Sequence, residues 1–253
     1  MKLLVAVFFC AFLSSAQART QEDSVLIYNL STRTTELSRN ADQVRPIASV
    51  TKLMTAMVTL DLNRDLEQRL TLKKNSGSRL PPGQYTRKQL LQAMLVSSDN
   101  GAANAIADDY PGGRSAFVAE MNRHARMWDL GDTKFTDPSG LSVFNVSTAR
   151  DLVEMVQIAA DYWFIQDASG QASVRLNKSD INKRRSVNLV HTSNQLLTTF
   201  DSVVVSKTGY TVAAGWCVGM VLEQKKQQYV VVVLGAGNKQ ARLNRVKTVL
   251  NGR

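Results

Sequence analysis

The chain has 253 residues, of which 44% are hydrophobic, and its formal net charge at pH 7 is +10. This length and apolar content suffice for one large core or two joined lobes. Cys10 lies in an N-terminal apolar run and Cys217 is the only other cysteine, so a mature chain without that run cannot form an internal disulfide. Stability must therefore come from burial, and Cys217 is predicted to be a small buried strand residue.

The first 18 residues have the layout of a secretory signal peptide. Lys2 is followed by an apolar run over residues 3–13 and by small residues that end at Ala18. The run is too short to span a bilayer. We therefore predict cleavage near Ala18, a mature chain from about Arg19 and a periplasmic location, with an uncleaved anchor as the alternative. No later run reaches membrane length, so no stable membrane anchor is predicted.

The positive charge does not indicate a nucleic-acid partner, because export removes nucleic acid from reach. The basic residues are scattered, and the one tight cluster, Lys183, Arg184 and Arg185, has no aromatic residue among its members. We interpret that cluster as a solvated loop. A positive surface still favours an anionic polymer such as cell wall. No cofactor and no metal ion is predicted.

The mature chain is predicted to start with a β-hairpin over residues 24–30 and 34–37, which flank a polar turn. After Pro46 the apolar residues follow helical spacing, and this helix is expected to be buried nearly all round. Its apolar positions include Val50, Leu53, Met54, Met57 and Leu60. Ser49 lies at the start of this helix, where a role as N-cap would alone explain a serine.

The middle of the chain is predicted to be mostly helical. Helices are expected over residues 87–96, 102–107, 115–128 and 147–160, the last capped by Ser147. Ser98 and Asn100 then lie on the turn between the first two of these helices. His124 falls within the third, and His191 in a later polar loop; both are interpreted as structural.

The hydrophobic period changes near residue 202. Residues 203–205, 214–222 and 229–234 are predicted strands, with a charged turn over 223–228, and residues 238–251 are a helix packed on the sheet rather than a membrane anchor. We predict an α/β (α+β) fold with an antiparallel sheet built from both chain ends and flanked by helices. The sheet lobe comprises residues 19–48 and 200–253, and a mostly helical lobe over residues 49–199 is inserted between them.

Three short motifs carry the predicted chemistry, and the first is Ser49-Val50-Thr51-Lys52. A serine hydroxyl needs a base to become a nucleophile. Lys52 lies three residues after Ser49, so on a helix both side chains share one face. Burial of that face would lower the pKa of Lys52, and an uncharged amine could then accept the serine proton.

The other two motifs are Ser98-Asp99-Asn100 and Lys207-Thr208-Gly209. Ser98 would pass the proton to the leaving amine, and the Asn100 amide would bind the substrate backbone. Lys207 would place a cation beside a substrate carboxylate, with the Thr208 hydroxyl bonded to it, and Gly209 would let a peptide approach the strand. The backbone N–H groups of Ser49 and Tyr210 are the candidates for an oxyanion site.

The three motifs in this order resemble those of the low-molecular-mass penicillin-binding proteins, which are serine-type D-Ala-D-Ala peptidases similar to peptidase S11. Further stretches are similar to the D,D-endopeptidase branch: RPIASVTKLMTAM at 45–57, YPGG at 110–113, PSGLSV at 138–143 and NVSTARDL at 145–152. The resemblance implies a β-lactamase/transpeptidase-like fold. It also implies an acyl-enzyme at Ser49, Lys52 as base, Ser98 in the proton relay and Lys207 holding substrate. Peptidoglycan peptides and β-lactams are the implied ligands.

Several alternatives remain open at this stage. A class A β-lactamase needs a glutamate that activates water, usually followed four residues later by asparagine. Glu120 and Glu154 are the glutamates between the second and third motifs, and neither has that asparagine. We therefore predict inhibition by penicillin rather than its turnover. A catalytically silent wall-binding protein is a second alternative. Carboxypeptidase and endopeptidase activity are not separated by these motifs, and neither is the oligomeric state.

Overall fold

The computed structural model of the chain describes residues 22–73, 78–179, 185–192, 194–197, 199–200 and 202–251. The predicted signal peptide and the start of the mature chain lie outside these residues. Among the residues described, no helix combines the length and apolar character needed to cross a membrane.

A five-stranded antiparallel sheet is built from both ends of the described chain, which confirms the predicted fold class. Its order is β2-β1-β11-β10-β9, so β9 is a free edge. The strands are β1 Ser24–Asn29, β2 Thr34–Arg39, β9 Ser202–Thr211, β10 Gly215–Gln224 and β11 Gln227–Ala236.

The valine run of β11 is buried because both faces of the sheet are covered. Val230 and Val232 face the large core with the central helices, whereas Val231 and Val233 face a smaller core under the C-terminal helix. Successive strand residues point to opposite faces, so a strand covered on both sides is continuously apolar. Cys217 of β10 is fully buried, as predicted, and burial raises the pKa of its thiol to about 11.

Six of the seven helices in the described residues agree closely with those predicted from periodicity; the seventh, Trp163–Gly170, was not predicted. The seven helices are α1 Thr51–Asp61, α2 Arg87–Val96, α3 Asn100–Asp108, α4 Gly113–Met127, α5 Ala149–Ala159, α6 Trp163–Gly170 and α7 Lys239–Lys247. Short 3-10 turns, Ala48–Val50 and Thr248–Asn251, precede α1 and follow α7. Every residue from Thr51 to Thr59 is buried, so α1 is the central helix that the sequence predicted.

The helix starts differ in detail from the prediction. Ser49 lies in the 3-10 turn and makes no capping hydrogen bond to α1, so the N-cap explanation for this serine is wrong. Thr148, rather than Ser147, caps α5, because Ser147 belongs to the two-residue strand β6 Val146–Ser147, which pairs with β3 Arg45–Pro46. Asn100 is the first residue of α3 rather than a turn residue, with Asp99 as its N-cap.

A second sheet, absent from the sequence prediction, lies within the chain segment expected to be mostly helical. Its order is β4-β5-β7-β8, formed by β4 Arg69–Leu72, β5 Gly83–Thr86, β7 Ser173–Ser179 and β8 Arg185–His191. Arg185 and His191 are thus the ends of a strand rather than loop residues, and Lys183 and Arg184 lie outside the described residues. The division into two lobes at residues 49 and 200 remains a prediction.

Candidate active site

Ser49 is presented by a tight turn between β3 and α1. Ala48, directly before it, has a positive φ of 47°, which is unfavourable for a residue with a Cβ. A neighbouring loop presses on this turn: a Cβ on Gly140 would lie 2.0 Å from the carbonyl oxygen of Ala48. Only glycine fits at that contact, so the loop backbone packs directly against the serine turn and fixes its position.

Lys52 lies one helical turn after Ser49 and is fully buried. Its Nζ is 2.9 Å from Ser49 Oγ and 2.7 Å from Asn100 Oδ1. A third hydrogen bond joins Nζ to the carbonyl oxygen of Ser139. These four residues, Ser49, Lys52, Asn100 and Ser139, are called the Ser-Lys pocket below.

Burial lowers the pKa of Lys52 from 10.5 to about 7, although the carboxylates of Asp137 and Asp99 act in the opposite direction. The hydrogen bonds suit the uncharged form. A neutral amine has two N–H donors and one lone pair, whereas the pocket offers two acceptors and one hydroxyl that can donate. The amine can therefore donate to Asn100 and Ser139 and accept the proton of Ser49.

The Ser139 carbonyl is positioned by a loop that lies outside the three sequence motifs. Asp137 accepts hydrogen bonds from the backbone N–H groups of Ser139, Gly140 and Ser142 and from the Ser139 hydroxyl, at 2.6 to 2.7 Å. Burial alone would raise the pKa of Asp137, but these bonds outweigh it and lower the pKa. Asn145 anchors the loop to α1 through Thr51 Oγ1 at 3.1 Å.

The second motif forms one wall of the site. Ser98 has a positive φ of 61° and faces the cleft, where its hydroxyl makes no hydrogen bond to any residue that the structure describes. Asp99 is completely buried. Its carboxylate accepts from the N–H of Ala102 at 2.8 Å, and from the N–H of Arg79 at 2.6 Å. The middle residue of the motif thus ties α3 to a separate loop.

The third motif lies on the edge strand β9 and forms the opposite wall. Thr208, Gly209 and Tyr210 face the cleft. Lys207 is buried instead, and its Nζ donates to the carbonyl oxygen of Thr208 at 2.9 Å. Burial, followed by the charge of Lys52, lowers its pKa well below the usual lysine value. Lys207 therefore lies behind the cleft surface, whereas the sequence analysis expected it beside the substrate.

Gly209 is required by the protein's own packing. A Cβ at this position would lie 2.7 Å from the backbone nitrogen of Ser49 and 3.0 Å from the Cβ of Ala48. The motif alone predicts that this glycine serves the approach of a peptide. In the structure it lets β9 approach the serine turn and keeps the space beside the Ser49 N–H open.

The two walls enclose a cleft of about 660 Å³. Seven of the eight predicted site residues contact it or the Ser-Lys pocket; the exception is Lys207. Three further cations line the cleft: Arg79, Lys239 and Arg242. They are called the cationic rim below. No acidic side chain is found among the described residues that line the cleft, and Glu120 and Glu154 lie elsewhere on α4 and α5.

Arg242 of α7 is the rim residue most firmly held. It is buried, Nη1 donates to the Cys217 carbonyl at 3.3 Å, and the guanidinium lies 5.5 Å from the centre of the Trp216 ring. Its Nε has no hydrogen-bond partner among the residues described. The sequence does not mark Arg242 as a site residue, because the apolar spacing of the C-terminal helix indicates only packing on the sheet.

The histidines take no part in this site. His124 is buried on α4, with Nε2 3.0 Å from Asp61 Oδ2 and Nδ1 3.0 Å from the Glu120 carbonyl. Neither His124 nor His191 lines the cleft. The structural interpretation of His124 therefore agrees with its position.

The fold and the contact between Ser49 at the cleft and buried Lys52 define a class of protein, the serine hydrolases with a penicillin-binding fold. Two solved structures are similar. The Streptomyces K15 DD-transpeptidase is 25% identical with a TM-score of 0.85, and the comparison covers 90% of this chain and 95% of that one. Penicillin-binding protein D2 from Listeria monocytogenes, in its ampicillin-bound form, is 26% identical with a TM-score of 0.77, over the same shares of the two chains.

The family is given by sequence. Residues 12–238 match the D-alanyl-D-alanine carboxypeptidase family, peptidase S11, and the chain belongs to that family. Among curated relatives, the D-alanyl-D-alanine endopeptidase of Escherichia coli is 35% identical, covering 89% of this chain and 75% of the relative. The D-alanyl-D-alanine endopeptidase of Pseudomonas aeruginosa is also 35% identical, with coverage of 88% and 74%. The predicted resemblance is confirmed, and the protein is a serine hydrolase.

Proposed function

We propose that this protein is an exported serine D,D-peptidase that cleaves D-Ala-containing peptidoglycan peptides, with the peptide cross-link as the favoured substrate. The observation that supports this proposal most directly is the 2.9 Å distance between the Nζ of buried Lys52 and Ser49 Oγ. The endopeptidase preference is supported by the names of the relatives from Escherichia coli and Pseudomonas aeruginosa. Removal of a terminal D-alanine is the alternative, because both reactions pass through the same acyl-enzyme.

Acylation uses the Ser-Lys pocket. As Ser49 Oγ attacks the carbonyl carbon of the scissile D-Ala bond, its proton passes to the uncharged amine of Lys52. The developing oxyanion is held by the backbone N–H groups of Ser49 and Tyr210. The space left by Gly209 beside the Ser49 nitrogen supports this assignment, since a Cβ there would occupy it.

The carbon–nitrogen bond then breaks, and Ser98 relays the proton from Lys52 to the leaving amine. Asn100 binds the substrate backbone while its Oδ1 holds Lys52. On the other wall, Thr208 and Arg242 receive the carboxylate of the leaving residue. Arg242 is assigned this role because it lines the cleft from α7, and a guanidinium can donate two parallel hydrogen bonds to a carboxylate. Lys207, buried behind Thr208 with its pKa lowered well below the usual lysine value, donates a hydrogen bond to the Thr208 carbonyl and so positions this residue.

Penicillin is proposed to inhibit the enzyme. A β-lactam carries a carboxylate next to a reactive amide and would acylate Ser49 in the same way. Since no carboxylate side chain lines the cleft among the residues described, no glutamate is in place to activate water against that adduct. The adduct should therefore hydrolyse slowly.

The substrate proposal is tested with purified mature protein and two pools of muropeptides, cross-linked and uncross-linked, analysed by liquid chromatography and mass spectrometry. Conversion of cross-linked dimers to monomers is expected to be the faster reaction, and Ser49→Ala, the matched control, should convert neither pool. Faster loss of terminal D-alanine would replace the endopeptidase assignment with the carboxypeptidase one.

The acyl-enzyme is tested by intact-protein and peptide mass spectrometry after benzylpenicillin treatment. One adduct on Ser49 is expected, with a lifetime much longer than the catalytic cycle. Rapid turnover of nitrocefin would indicate a β-lactamase. Absence of any adduct, together with retained binding to cell wall, would indicate the silent wall-binding alternative.

A further inference from the structure

The charge of the cleft exceeds what one substrate carboxylate requires. All three cations of the cationic rim line it, and no acidic side chain does so among the residues that the structure describes. Arg242 suffices for the carboxylate of the leaving residue. Arg79 and Lys239 are therefore left without an assigned counter-ion, and Arg79 is the one whose backbone is bonded to the Ser98-Asp99-Asn100 motif.

Arg79 is held in place by its backbone. Its N–H donates to Asp99 Oδ2 at 2.6 Å, and the following N–H, of Leu80, donates to the same oxygen at 3.2 Å. Because Asp99 also caps α3, the Arg79 loop is fixed relative to Ser98 and Asn100. The side chain thus starts from an anchored point on the Ser98 wall.

The Arg79 side chain is exposed and free to bind a ligand. Its guanidinium has no hydrogen bond or ion pair with any residue in the described part of the chain. The Arg242 side chain, by contrast, is buried. After burial and the charge of Lys52, Arg242 and Arg79 both lower the pKa of Lys207. Both arginines line the cleft, Arg79 from the loop bonded to Asp99 and Arg242 from α7 beside β10.

We propose that Arg79 is a specificity-determining residue that binds a second substrate carboxylate, located in the acyl-donor segment before the scissile bond. The leaving residue reaches Arg242 on the α7 side, so a carboxylate that reaches Arg79 on the Ser98 wall belongs to the donor part of the peptide. The substrate class is a peptide with at least two free carboxylates. This inference rests on the proposed function and specifies its substrate further.

The test uses synthetic peptides ending in D-Ala-D-Ala. The carboxylate sits one, two or three residues before the scissile bond, and each peptide has a matched primary amide at the same place. At one of these three positions, kcat/KM of the wild-type protein is expected to be about tenfold higher for the carboxylate peptide than for its matched amide. This is the effect expected of a charge-assisted bidentate contact. Arg79→Gln should bring that ratio close to one, because it lowers kcat/KM for the carboxylate peptide much more than for the amide.

Two further variants distinguish a direct contact between Arg79 and the carboxylate from a general effect of the protein's positive charge. Lys73→Gln removes one positive charge from an exposed residue that does not line the cleft, and should keep the wild-type ratio. Arg79→Lys should retain part of the preference, because an ammonium attracts a carboxylate but cannot form the bidentate pair. Equal losses for carboxylate and amide in Arg79→Gln, or the same ratio in Arg79→Gln and wild type, would overturn the proposal.

A binding experiment distinguishes this inference from the proposed function. The same peptide pairs are titrated into Ser49→Ala protein, with and without Arg79→Gln, by calorimetry. A carboxylate preference that depends on Arg79 supports the inference even if the wild-type enzyme hydrolyses none of the peptides, a result that would overturn the proposed function alone. No such preference in binding or turnover would refute the Arg79 assignment.

Discussion

The Ser-Lys pocket and the cationic rim meet in one cleft but are stabilised in different ways. In the pocket, Lys52 is buried and its amine is bonded to Ser49, Asn100 and Ser139. In the rim, Arg242 keeps a buried Nε without a partner, and Arg79 presents an exposed guanidinium without one, within the described residues. The pocket is thus organised before substrate arrives, whereas the rim retains unpaired donors that a substrate anion can satisfy.

The largest effect is expected in the pocket, from Lys52→Met. Methionine keeps the apolar volume of the side chain but cannot accept a proton, so acylation of Ser49 should fall about 10³-fold, within the range of general-base effects. The measurement is the rate of labelling by a fluorescent penicillin. Lys73→Met, an exposed lysine away from the cleft, is the control and should label at the wild-type rate. A labelling rate for Lys52→Met within tenfold of the wild-type rate would show that Lys52 is not the base.

Gly209→Ala tests the contact between the strand wall and the serine turn. The added Cβ would lie 2.7 Å from the Ser49 nitrogen, so either β9 or the turn must shift. We expect acylation to slow about 10²-fold, as when an oxyanion donor is displaced. Gly237→Ala is the matched control, because nothing lies within 4 Å of a Cβ there. Equal rates for the two variants would contradict the role given to this contact.

Asp137→Ala tests whether the Asp137 carboxylate stabilises the loop that positions Ser139 in the Ser-Lys pocket. The substitution leaves the N–H groups of Ser139, Gly140 and Ser142 without their acceptor, and we expect a loss of about 2 kcal/mol in the free energy of unfolding. Urea denaturation measures this, with exposed Asp132→Ala as the control. Since the pKa of Asp137 is lowered in the folded state, its contribution is present above the unfolded value of 3.8 and is lost as pH falls through the folded value. An unchanged midpoint for Asp137→Ala would refute its positioning role.

The smallest effect is expected at the rim, from Arg242→Gln. Loss of the guanidinium should raise KM for a D-Ala-D-Ala peptide about tenfold, with a smaller change in kcat, because the contact forms in both the ground and transition states. Steady-state kinetics measure the split. A loss confined to kcat would show that Arg242 acts on the reaction and not on carboxylate binding.

The same contrast explains how far the sequence could predict the molecule. The Ser49–Lys52 pair could be predicted because the two residues are three positions apart at the start of a helix whose apolar period is clear. The valines of β11 and the apolar face of α5 likewise predicted their elements. The strands β7 and β8 were missed because their short apolar alternation is mixed with charged and polar residues, and their pairing is decided by tertiary contact.

The rim was missed for a different reason. Arg242 lies 193 positions after Ser49 by residue number, and only the packing of α7 against β10 brings it to the cleft. Arg79 reaches the site through the buried Asp99 carboxylate, a bond between residues 20 positions apart. No local period marks either arginine. The Ser139 carbonyl was also inaccessible, since its position depends on the Asp137 loop.

The central claim, that uncharged Lys52 takes the Ser49 proton, is tested most directly by the pH dependence of Ser49 acylation. The second-order rate constant for benzylpenicillin is measured from pH 5 to 9, with mass spectrometry locating the adduct on Ser49. Because the pKa of Lys52 is lowered to about 7, the rate should rise about tenfold per unit below that pH and level off above it. A rate that is the same at pH 5 and pH 8, or that still rises about tenfold per unit up to pH 9, as expected for a lysine with the ordinary pKa of 10.5, would contradict it.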